Sequence, residues 1–368
     1  MLLSTIFIIL GIAYFSLIFL FIFGWLRLDY YADTLVSTTT RISIIIAVRN
    51  EEKNIKQLLN SLSIQTYPKD FFEIIIINDH SSDKTLEILE NVRLENLKII
   101  ELNDSEIGKK TAIDKGISVA SGEIIITTDG DCTFGENWLT TIVSFYEKEK
   151  PDMMIAPVTF EKKFGFLNQF QFYDFMALQA STAGACSINI PIMNNGANLI
   201  YKKQAYLDLQ NATKKELASG DDMFLLINLK KNKKQIRYLN SFDALVTTKS
   251  EHSIPKFIHQ RIRWAGKNKN HADVHILTIG LIVFLFNLSL LSTAILAYWL
   301  PNVLFPLALL FITKTIIEYI LISLAAATFR KKLNIYVFFF FQVFHIIYTS
   351  IIPFLSVFST YKWKGRRI

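Results

Sequence analysis

Long uncharged stretches near both ends of the chain flank a central region in which short apolar runs alternate with polar segments. No charged residue occurs from Leu2 to Leu26, and a helix needs about 20 apolar residues to cross the hydrocarbon core of a bilayer. This stretch therefore predicts a membrane-spanning helix. A cleaved signal peptide is the alternative, but the run is too long, no basic residue precedes it, and no small-x-small site follows it.

The second apolar block begins near Ile276 and continues almost to Thr360. Polar interruptions divide it into three stretches, at about 276–299, 303–327 and 335–358. The first two predict a hairpin of membrane-spanning helices. The third fits either a full crossing or a re-entrant segment broken at Pro353, and the sequence leaves that choice open.

Two charged residues, Lys314 and Glu318, lie four positions apart inside the second of these stretches. Each would cost about 2.5 to 3.5 kcal/mol at the centre of a membrane helix. We therefore expect them to pair, with a role in a path for the acceptor as the alternative.

Basic residues predict which side of the membrane the central region faces. Arg27 and Arg41 follow the first helix and no Lys or Arg precedes it, so the positive-inside rule places the central region in the cytoplasm. The basic connection at 330–332 returns to the same side. We predict a protein that is integral to the cytoplasmic (inner) membrane, with its central domain facing the cytoplasm.

In the central region, apolar strand-like runs alternate with helical segments, which is the pattern of βαβ units. The runs are Ile42 to Val48, Glu73 to Ile77, Leu97 to Ile100 and Glu123 to Thr127. Their nearly continuous hydrophobicity is typical of parallel strands covered on both faces. We predict an α/β fold, in which the chain divides into an N-terminal anchor, a soluble domain with interfacial helices, a transmembrane region and a basic tail, at 1–27, 41–270, 276–360 and 361–368.

Composition excludes several classes of protein. Hydrophobic residues make up 51% of the 368 residues and charged residues 19%, so the two must be segregated along the chain. The net charge of +7 is modest, and its location near the membrane-facing ends favours lipid headgroups over nucleic acid. Two cysteines make no disulfide framework and no Cys/His metal cluster. The chain also lacks the glycine patterns of dinucleotide sites and P-loops.

Acidic residues follow two of the predicted strands, at the edge where open α/β sheets bind ligands. Asp79 ends the second strand and suits a base or ribose, whereas Asp83 fits the cap of the next helix. Asp129-Gly130-Asp131 follows the fourth strand. A simple turn is one interpretation of this trio. The other is a site for Mg²⁺ or Mn²⁺, because carboxylates are hard oxygen ligands and glycine lets the backbone approach phosphate.

A Gln-x-x-Arg-Trp cluster lies just before the C-terminal apolar block. In a helix, Gln260, Arg263 and Trp264 stand at i, i+3 and i+4 and share one face. Such a face can bind a diphosphate through the Arg fork and cover a sugar with the indole. A basic amphipathic helix on the membrane surface is the alternative.

Taken in order, these motifs resemble those of membrane-integral glycosyltransferases of family 2, over roughly residues 41 to 268. The resemblance rests on Ile44 to Glu51, Asn78 to Asp83, Gly108 to Ala112, Asp129 to Asp131, Gly220 to Asp222 and Gln260 to Trp264. It implies a GT-A type, Rossmann-like nucleotide-sugar domain flanked by transmembrane helices. Two departures occur, since Asn78-Asp79-His80 replaces the usual Asp-Asp-Gly and Asp221-Asp222 replaces the usual Glu-Asp.

The resemblance also implies roles for individual residues. Asp79 would contact the base, Lys109 would lie by the nucleotide, and Asp129 and Asp131 would position the donor and its metal. Asp222 would be the catalytic base. The diphosphate and the acceptor end would be held by Asp221, Gln260, Arg263 and Trp264. The loop from Asn194 to Asn198 resembles an acceptor-side loop, and Phe164 to Ala180 resembles an interfacial helix, with a core helix as the alternative.

The expected function is that of a metal-dependent, hexosyltransferase-like enzyme. It would move a sugar, with inversion, from a nucleotide-diphosphate sugar to a lipid or growing glycan at the cytoplasmic membrane face. A processive polysaccharide synthase that also translocates its product is one alternative. A membrane-anchored nucleotide-sugar sensor that binds without turnover is another.

Overall fold

The computed structural model describes residues 2–32, 39–210, 221–267, 273–358, 362–363 and 366–367. They form two compact units, each assembled from segments that are distant in sequence. The helical unit contains residues Met1–Leu28, Lys162–Ile192 and Ser250–Ile368. The sheet unit contains residues Asp29–Glu161 and Met193–Lys249.

A seven-stranded mixed sheet forms the centre of the sheet unit. Its strands are β1 (Ile42–Val48), β2 (Phe72–Asn78), β3 (Leu97–Glu101), β4 (Ile124–Asp129), β5 (Met153–Ile155), β7 (Leu199–Lys202) and β8 (Ile236–Tyr238). In space they follow the order β3-β2-β1-β4-β7-β5-β8. The first four pair in parallel, whereas β7 runs antiparallel to both β4 and β5. Two further strands, β6 (Val158–Phe160) and β9 (Val246–Thr248), make a separate parallel pair.

The isoleucine-rich strands form the core because a parallel strand covered on both faces buries every side chain. Ile44, Ile45 and Ile46 of β1 are fully buried, and so are four consecutive isoleucines of β2. The helices that cover this sheet or pack beside it are α2 (Ile55–Ser63), α3 (Thr85–Glu90), α4 (Lys109–Val119), α5 (Trp138–Glu149), α7 (Lys203–Gln210) and α8 (Asp221–Lys231). The predicted α/β fold is confirmed, with strand bounds within two residues of those expected.

The helical unit contains the apolar stretches. Its helices are α1 (Leu2–Leu26), α6 (Phe166–Ser187), α9 (Ile254–Lys267), α10 (Val274–Leu296), α11 (Leu304–Thr328) and α12 (Ile335–Phe358). Four of them are long and apolar enough to cross a membrane, at Phe7–Leu26, Val274–Leu296, Pro301–Thr328 and Ile335–Ser356. The helix α12 continues through Pro353 without a break. Lys362–Trp363 and Arg366–Arg367 pair as two short strands, β10 and β11.

A cluster of polar side chains lies among the apolar helices of this unit. Lys314 is completely buried, and its Nζ lies 2.8 Å from Glu318 Oε1 and 2.5 Å from Gln342 Oε1. Gln342 Nε2 donates to Glu318 Oε2 at 2.7 Å, and the Tyr14 hydroxyl donates to the same carboxylate. The expected Lys314–Glu318 pair is therefore present, and its partners come from α1 and α12.

The helix α9 is held to α6 by a second buried ion pair. Arg261 Nη2 lies 2.7 Å from Asp174 Oδ2, and both side chains are almost fully buried. The Arg261 guanidinium also stacks over the rings of Phe257 and Trp264, at 4.9 and 4.2 Å. With Asp174, Gln171 and Gln179 buried, α6 has the burial of a core helix of this unit, as the alternative interpretation of its sequence expected.

Candidate active site

The predicted donor residues converge at one edge of the sheet. Val48 pairs with Asn78, and Ala47 pairs with Asp129, so the carboxyl ends of β1, β2 and β4 lie side by side. Asp79 follows directly and is almost fully buried. In a parallel sheet the chain must turn at this edge, and the turn residues rather than the strand residues face a ligand.

Asp79 links the end of β2 to the start of α4. Its Oδ2 accepts a hydrogen bond from the Gly108 backbone N–H at 3.2 Å, and its Oδ1 lies 3.0 Å from His80 Nδ1. Arg49 Nη1 donates to the Asp79 carbonyl oxygen at 2.7 Å. The carboxylate therefore fixes the turn that precedes Lys109. Asp83 accepts from the Thr85 backbone N–H at 3.0 Å, but α3 begins at Thr85 with Lys84 at its N-cap, so Asp83 lies one residue before the cap position that was expected for it.

Lys109 forms an ion pair with Asp129 Oδ1. Lys109 is the first residue of α4 and Asp129 is the last residue of β4, so the pair joins two elements at the ligand-binding edge. Each side chain remains 34% exposed. A phosphate oxygen could therefore approach the ammonium from solvent without unfolding either element.

Asp131 concentrates negative charge in the same place. Its Oδ2 accepts from Thr248 Oγ1 at 3.1 Å. Burial, together with the nearby negative charges of Asp129 and Glu51, raises the pKa of Asp131 to about 6. A cation bound nearby would stabilise the ionised form of a carboxylate that is held among like charges.

These residues fit a divalent metal that takes some of its ligands from the protein and the others from a bound substrate. Among the residues that the structure describes, no group of three or more His, Cys, Asp or Glu side chains forms a closed metal site. Mg²⁺ is typically bound by one or two carboxylates together with substrate phosphates. Asp131 and Asp129 supply such carboxylates, and the excess negative charge around Asp131 is the feature that a metal would relieve.

The predicted catalytic base lies in the same unit, in the first turn of α8. A Cβ on Gly196 would lie 3.8 Å from Asp222 Oδ2 and 3.7 Å from Lys109 Nζ, so both charged groups border the Gly196 backbone. Asn194 Nδ2 donates to the Asp222 carbonyl oxygen at 2.7 Å. Asp222 Oδ1 accepts from the Met223 backbone N–H at 2.9 Å. The side chain of Asp221 and the whole of Gly220 lie outside the described residues.

The loop at 194–198 is built by its own hydrogen bonds. Asn195 Oδ1 accepts from the Ala197 backbone N–H at 3.0 Å, and Thr127 Oγ1 donates to the Gly196 carbonyl oxygen at 3.0 Å. Asn198 is fully buried and donates to two carbonyl oxygens, those of Pro157 and Ala244. The loop is therefore fixed against β4, beside the carboxylates.

The Gln-x-x-Arg-Trp residues belong to the helical unit and lie on α9, which is helical as expected. Gln260 Nε2 lies 3.4 Å from Glu251 Oε1, and the Gln260 Oε1 atom is buried with no hydrogen-bond partner within the described residues. The Trp264 ring packs against Phe175 and under Arg261. The roles of Gln260, Arg263 and Trp264 in binding stay predictions.

Three residues make contacts in this site that the sequence did not predict. In the sequence Glu51 is only the last residue of the first family motif, yet its charge acts on Asp131 and its Cγ would lie 2.9 Å from a Cβ on Gly130. Thr248 and Asn194 contact Asp131 and Asp222 from segments distant in sequence. Only Asn194 carried a signal, because it begins the Asn-Asn-Gly segment that was noted as a loop.

A mixed α/β sheet with carboxylates at the ends of its parallel strands, joined to membrane-type helices, is the architecture of a membrane-associated GT-A protein. The Glycosyl transferase family 2 description matches residues 43–202, and Glycosyl transferase family group 2 matches residues 124–354. The second match covers more than half of the chain. This chain belongs to the family 2 glycosyltransferases.

Individual relatives match over shorter regions. Glycosyltransferase AglE of Haloferax volcanii is 35% identical over 128 residues, which are 34% of this chain and 42% of that protein. Beta-monoglucosyldiacylglycerol synthase of Trichormus variabilis is 32% identical over 127 residues, 34% of this chain and 27% of that protein. The chain therefore spans less than half the length of these curated relatives.

A solved structure shares the fold over most of the chain. It is that of mannosyltransferase PcManGT from Pyrobaculum calidifontis, in complex with GDP-Man and Mn²⁺. The TM-score is 0.57 and the sequence identity 18%, with 89% of this chain and 99% of that chain covered. At this identity the likeness is one of fold.

Proposed function

We propose that this protein is an inverting, metal-dependent glycosyltransferase that moves a single sugar from a nucleotide-diphosphate sugar to a lipid or glycan acceptor. One observation carries the proposal. Lys109, Asp129 and Asp131 gather at a sheet edge, while Asp222 borders the same Gly196 backbone as Lys109. Groups that can bind a diphosphate therefore lie close to a carboxylate that can accept a proton.

The residues divide the chemistry between them. Asp129 and Asp131 would hold Mg²⁺ or Mn²⁺, which stabilises the charge that develops on the diphosphate as it leaves. Lys109 adds a positive charge at the same place. Asp222 accepts the acceptor's hydroxyl proton while that oxygen forms its bond to the anomeric carbon and the bond to the diphosphate breaks. Because this is a single displacement, the configuration at the anomeric carbon inverts.

The neighbouring residues prepare this base for its role. Asp222 lies in the first turn of α8, where the helix dipole favours the ionised carboxylate. Asn194 fixes the backbone of Asp222 through its carbonyl oxygen. Asp79 would orient the nucleotide base or ribose through the turn that it stabilises with Gly108.

Transfer of one sugar at a time is favoured over processive synthesis by the helical unit. Three polar side chains of α11 and α12, those of Lys314, Glu318 and Gln342, bind one another rather than line an open path for a glycan. The name of the relative that makes beta-monoglucosyldiacylglycerol supports a lipid acceptor. Gln260, Arg263 and Trp264 are proposed to contact the diphosphate and that acceptor.

The proposed location is the cytoplasmic membrane, with the sheet unit in the cytoplasm where nucleotide sugars occur. Its basis is the pair of basic residues that follow the first helix, Arg27 and Arg41, and the basic connection after α11. The proposed domains are those expected from sequence: an anchor at 1–27, a transferase domain at 41–270, a transmembrane region at 276–360 and a basic tail at 361–368.

A labelled nucleotide-sugar panel tests the proposal. Membranes containing the full chain are incubated with each donor, with Mg²⁺ or Mn²⁺ and with EDTA, and the lipid extract is analysed by mass and by anomeric configuration. We expect one donor to yield a one-sugar product of inverted configuration, and EDTA to abolish it. Long products would indicate a synthase, and saturable donor binding without any product would indicate a sensor.

A further inference from the structure

A basic loop of the helical unit is held at the end of two membrane-type helices. The loop, residues 162–165, precedes α6, and residues 329–334 connect α11 to α12. Lys162 Nζ donates to the Lys332 carbonyl oxygen at 2.8 Å. The Asn334 backbone N–H donates to the Tyr173 hydroxyl at 2.8 Å. The connection between α11 and α12 lies where the chain leaves the bilayer. The 162–165 loop is bonded to this connection, so it lies at the same membrane surface as the connection.

Aromatic packing fixes the depth of this loop. The Phe166 ring, in the first turn of α6, makes edge contacts with Phe341 and Phe344 of α12, at 5.3 and 4.9 Å between ring centroids. Phe341 also contacts Phe170 one turn later, at 5.6 Å. The loop therefore cannot slide along the helices without breaking these contacts.

Like charges are brought together here. Lys162 reaches the connection that carries Lys331 and Lys332, and Lys331 is partly buried. Burial and the positive charge of Lys162 both lower the pKa of Lys331. Two ammonium groups held close together repel each other. A phosphodiester anion bound between them would attract both, so the net electrostatic energy would become favourable.

An apolar side chain accompanies the lysines. Phe164 is 98% exposed, the highest value among the exposed large apolar side chains of the described chain. It is followed by Gly165, whose φ of +105° permits the turn into α6. Aromatic rings are favoured at the level of the headgroups, where they bury their apolar surface while polar neighbours remain hydrated.

We propose that Lys162 and Lys331, with Phe164 beside them, form a binding site for the phosphate of an anionic phospholipid headgroup. The lysines bind the phosphodiester oxygens and Phe164 inserts among the first carbons of the acyl chains. The site goes beyond the proposed transferase activity and does not depend on it. It would keep anionic lipid next to the junction of α6, α11 and α12.

A binding titration tests this site. The delipidated full chain, in a neutral detergent, is titrated with fluorescent phosphatidylglycerol and, separately, with phosphatidylcholine, and the dissociation constants are measured by anisotropy. We expect saturable binding that favours phosphatidylglycerol. Lys162→Gln with Lys331→Gln should weaken it about 10- to 30-fold, since each surface lysine contributes on the order of a few-fold in affinity.

Matched variants separate the site from overall charge. Lys56→Gln with Lys69→Gln removes the same charge from the sheet unit and should leave the affinity unchanged. Phe164→Ser keeps both lysines and should weaken the binding of phosphatidylglycerol by at least about threefold. This single variant keeps the proposal testable even if the double variant does not fold. Equal weakening by the two double variants would overturn it, and so would full competition by millimolar inorganic phosphate.

Discussion

Two lysine–carboxylate pairs, one in each unit, show how surroundings decide the role of identical chemistry. The Lys314–Glu318 pair lies among apolar helices, with side chains that are 0% and 9% exposed. The Lys109–Asp129 pair lies at the sheet edge, with both side chains 34% exposed. The first is closed off by protein and the second is open to a ligand.

The partners of each pair extend this contrast. Gln342 and Tyr14 complete the hydrogen bonding of Glu318, so the charges of the buried pair are matched within the helices. Around Asp129 the balance is different, because Asp131 and Glu51 add further negative charge. Burial, together with the charges of Asp129 and Glu51, raises the pKa of Asp131 to about 6. A matched pair stabilises a fold, whereas an unmatched group of carboxylates favours a bound cation.

The largest effect on activity is expected at the open site, from Asp222→Asn. The amide keeps the shape of the side chain but cannot accept the hydroxyl proton, so turnover should fall by about 10²- to 10⁴-fold. Donor binding should be retained. Single-turnover transfer and donor titration measure the two quantities.

Asp104→Asn is the matched control, because this exposed carboxylate changes charge equally without bordering Gly196. It should transfer sugar at the wild-type rate. If Asp222→Asn also kept that rate, Asp222 would not be the base.

At the closed pair, Lys314→Met should lower the free energy of unfolding by about 3 to 5 kcal/mol. The substitution leaves Glu318 buried without its charged partner, which is the costly outcome for a buried ion pair. Unfolding of the purified chain in detergent gives the measurement. Replacing both residues, as Lys314→Met with Glu318→Leu, should recover most of the loss, and simple additivity of the two substitutions would contradict the pairing.

At the metal site, Asp131→Asn should weaken metal-dependent donor binding by at least about 10-fold. The change removes the charge that a divalent cation would neutralise, while it preserves the shape of the side chain. Manganese titrations at fixed donor concentration report it. Thr248→Val removes only the hydrogen bond to the same carboxylate and should have a smaller effect. An unchanged titration for both variants would place the metal elsewhere.

The smallest effect on stability is expected from Lys109→Gln. A partly exposed pair contributes about 0 to 1 kcal/mol, so the free energy of unfolding should change by no more than that. Donor affinity should nevertheless fall, because the variant lacks the positive charge that is proposed to bind the diphosphate. A loss of stability as large as that of Lys314→Met would erase the contrast between the two pairs.

Much of the fold follows from local pattern. Continuous isoleucine runs predicted β1, β2 and β4, and long apolar stretches predicted α1, α10, α11 and α12. The order of the strands does not follow from these runs. That β7 lies between β4 and β5 depends on pairing between residues 44 to 78 positions apart, and a four-residue run carries too little signal to specify it.

The candidate site divides in the same way. Asp79, Asp129 and Asp131 could be predicted because each follows a strand whose periodicity is clear. Thr248 could not be, since a threonine in a three-residue strand has no distinguishing pattern until β9 is placed beside β6. The link between Asn194 and Asp222 likewise joins two loops that only the packed chain brings into contact.

By itself, the sequence determined that this protein combines membrane-type helices with an α/β sheet whose first four strands are parallel, and that carboxylates follow two of those strands. These properties depend on hydrophobic periodicity and on the direction of the chain, both of which are local. The tertiary structure alone decided which charges are matched. Whether a lysine is buried with its partner or lies in a partly exposed pair depends on contacts between distant segments. The free energy of a charge depends on those neighbours rather than on its position in the chain.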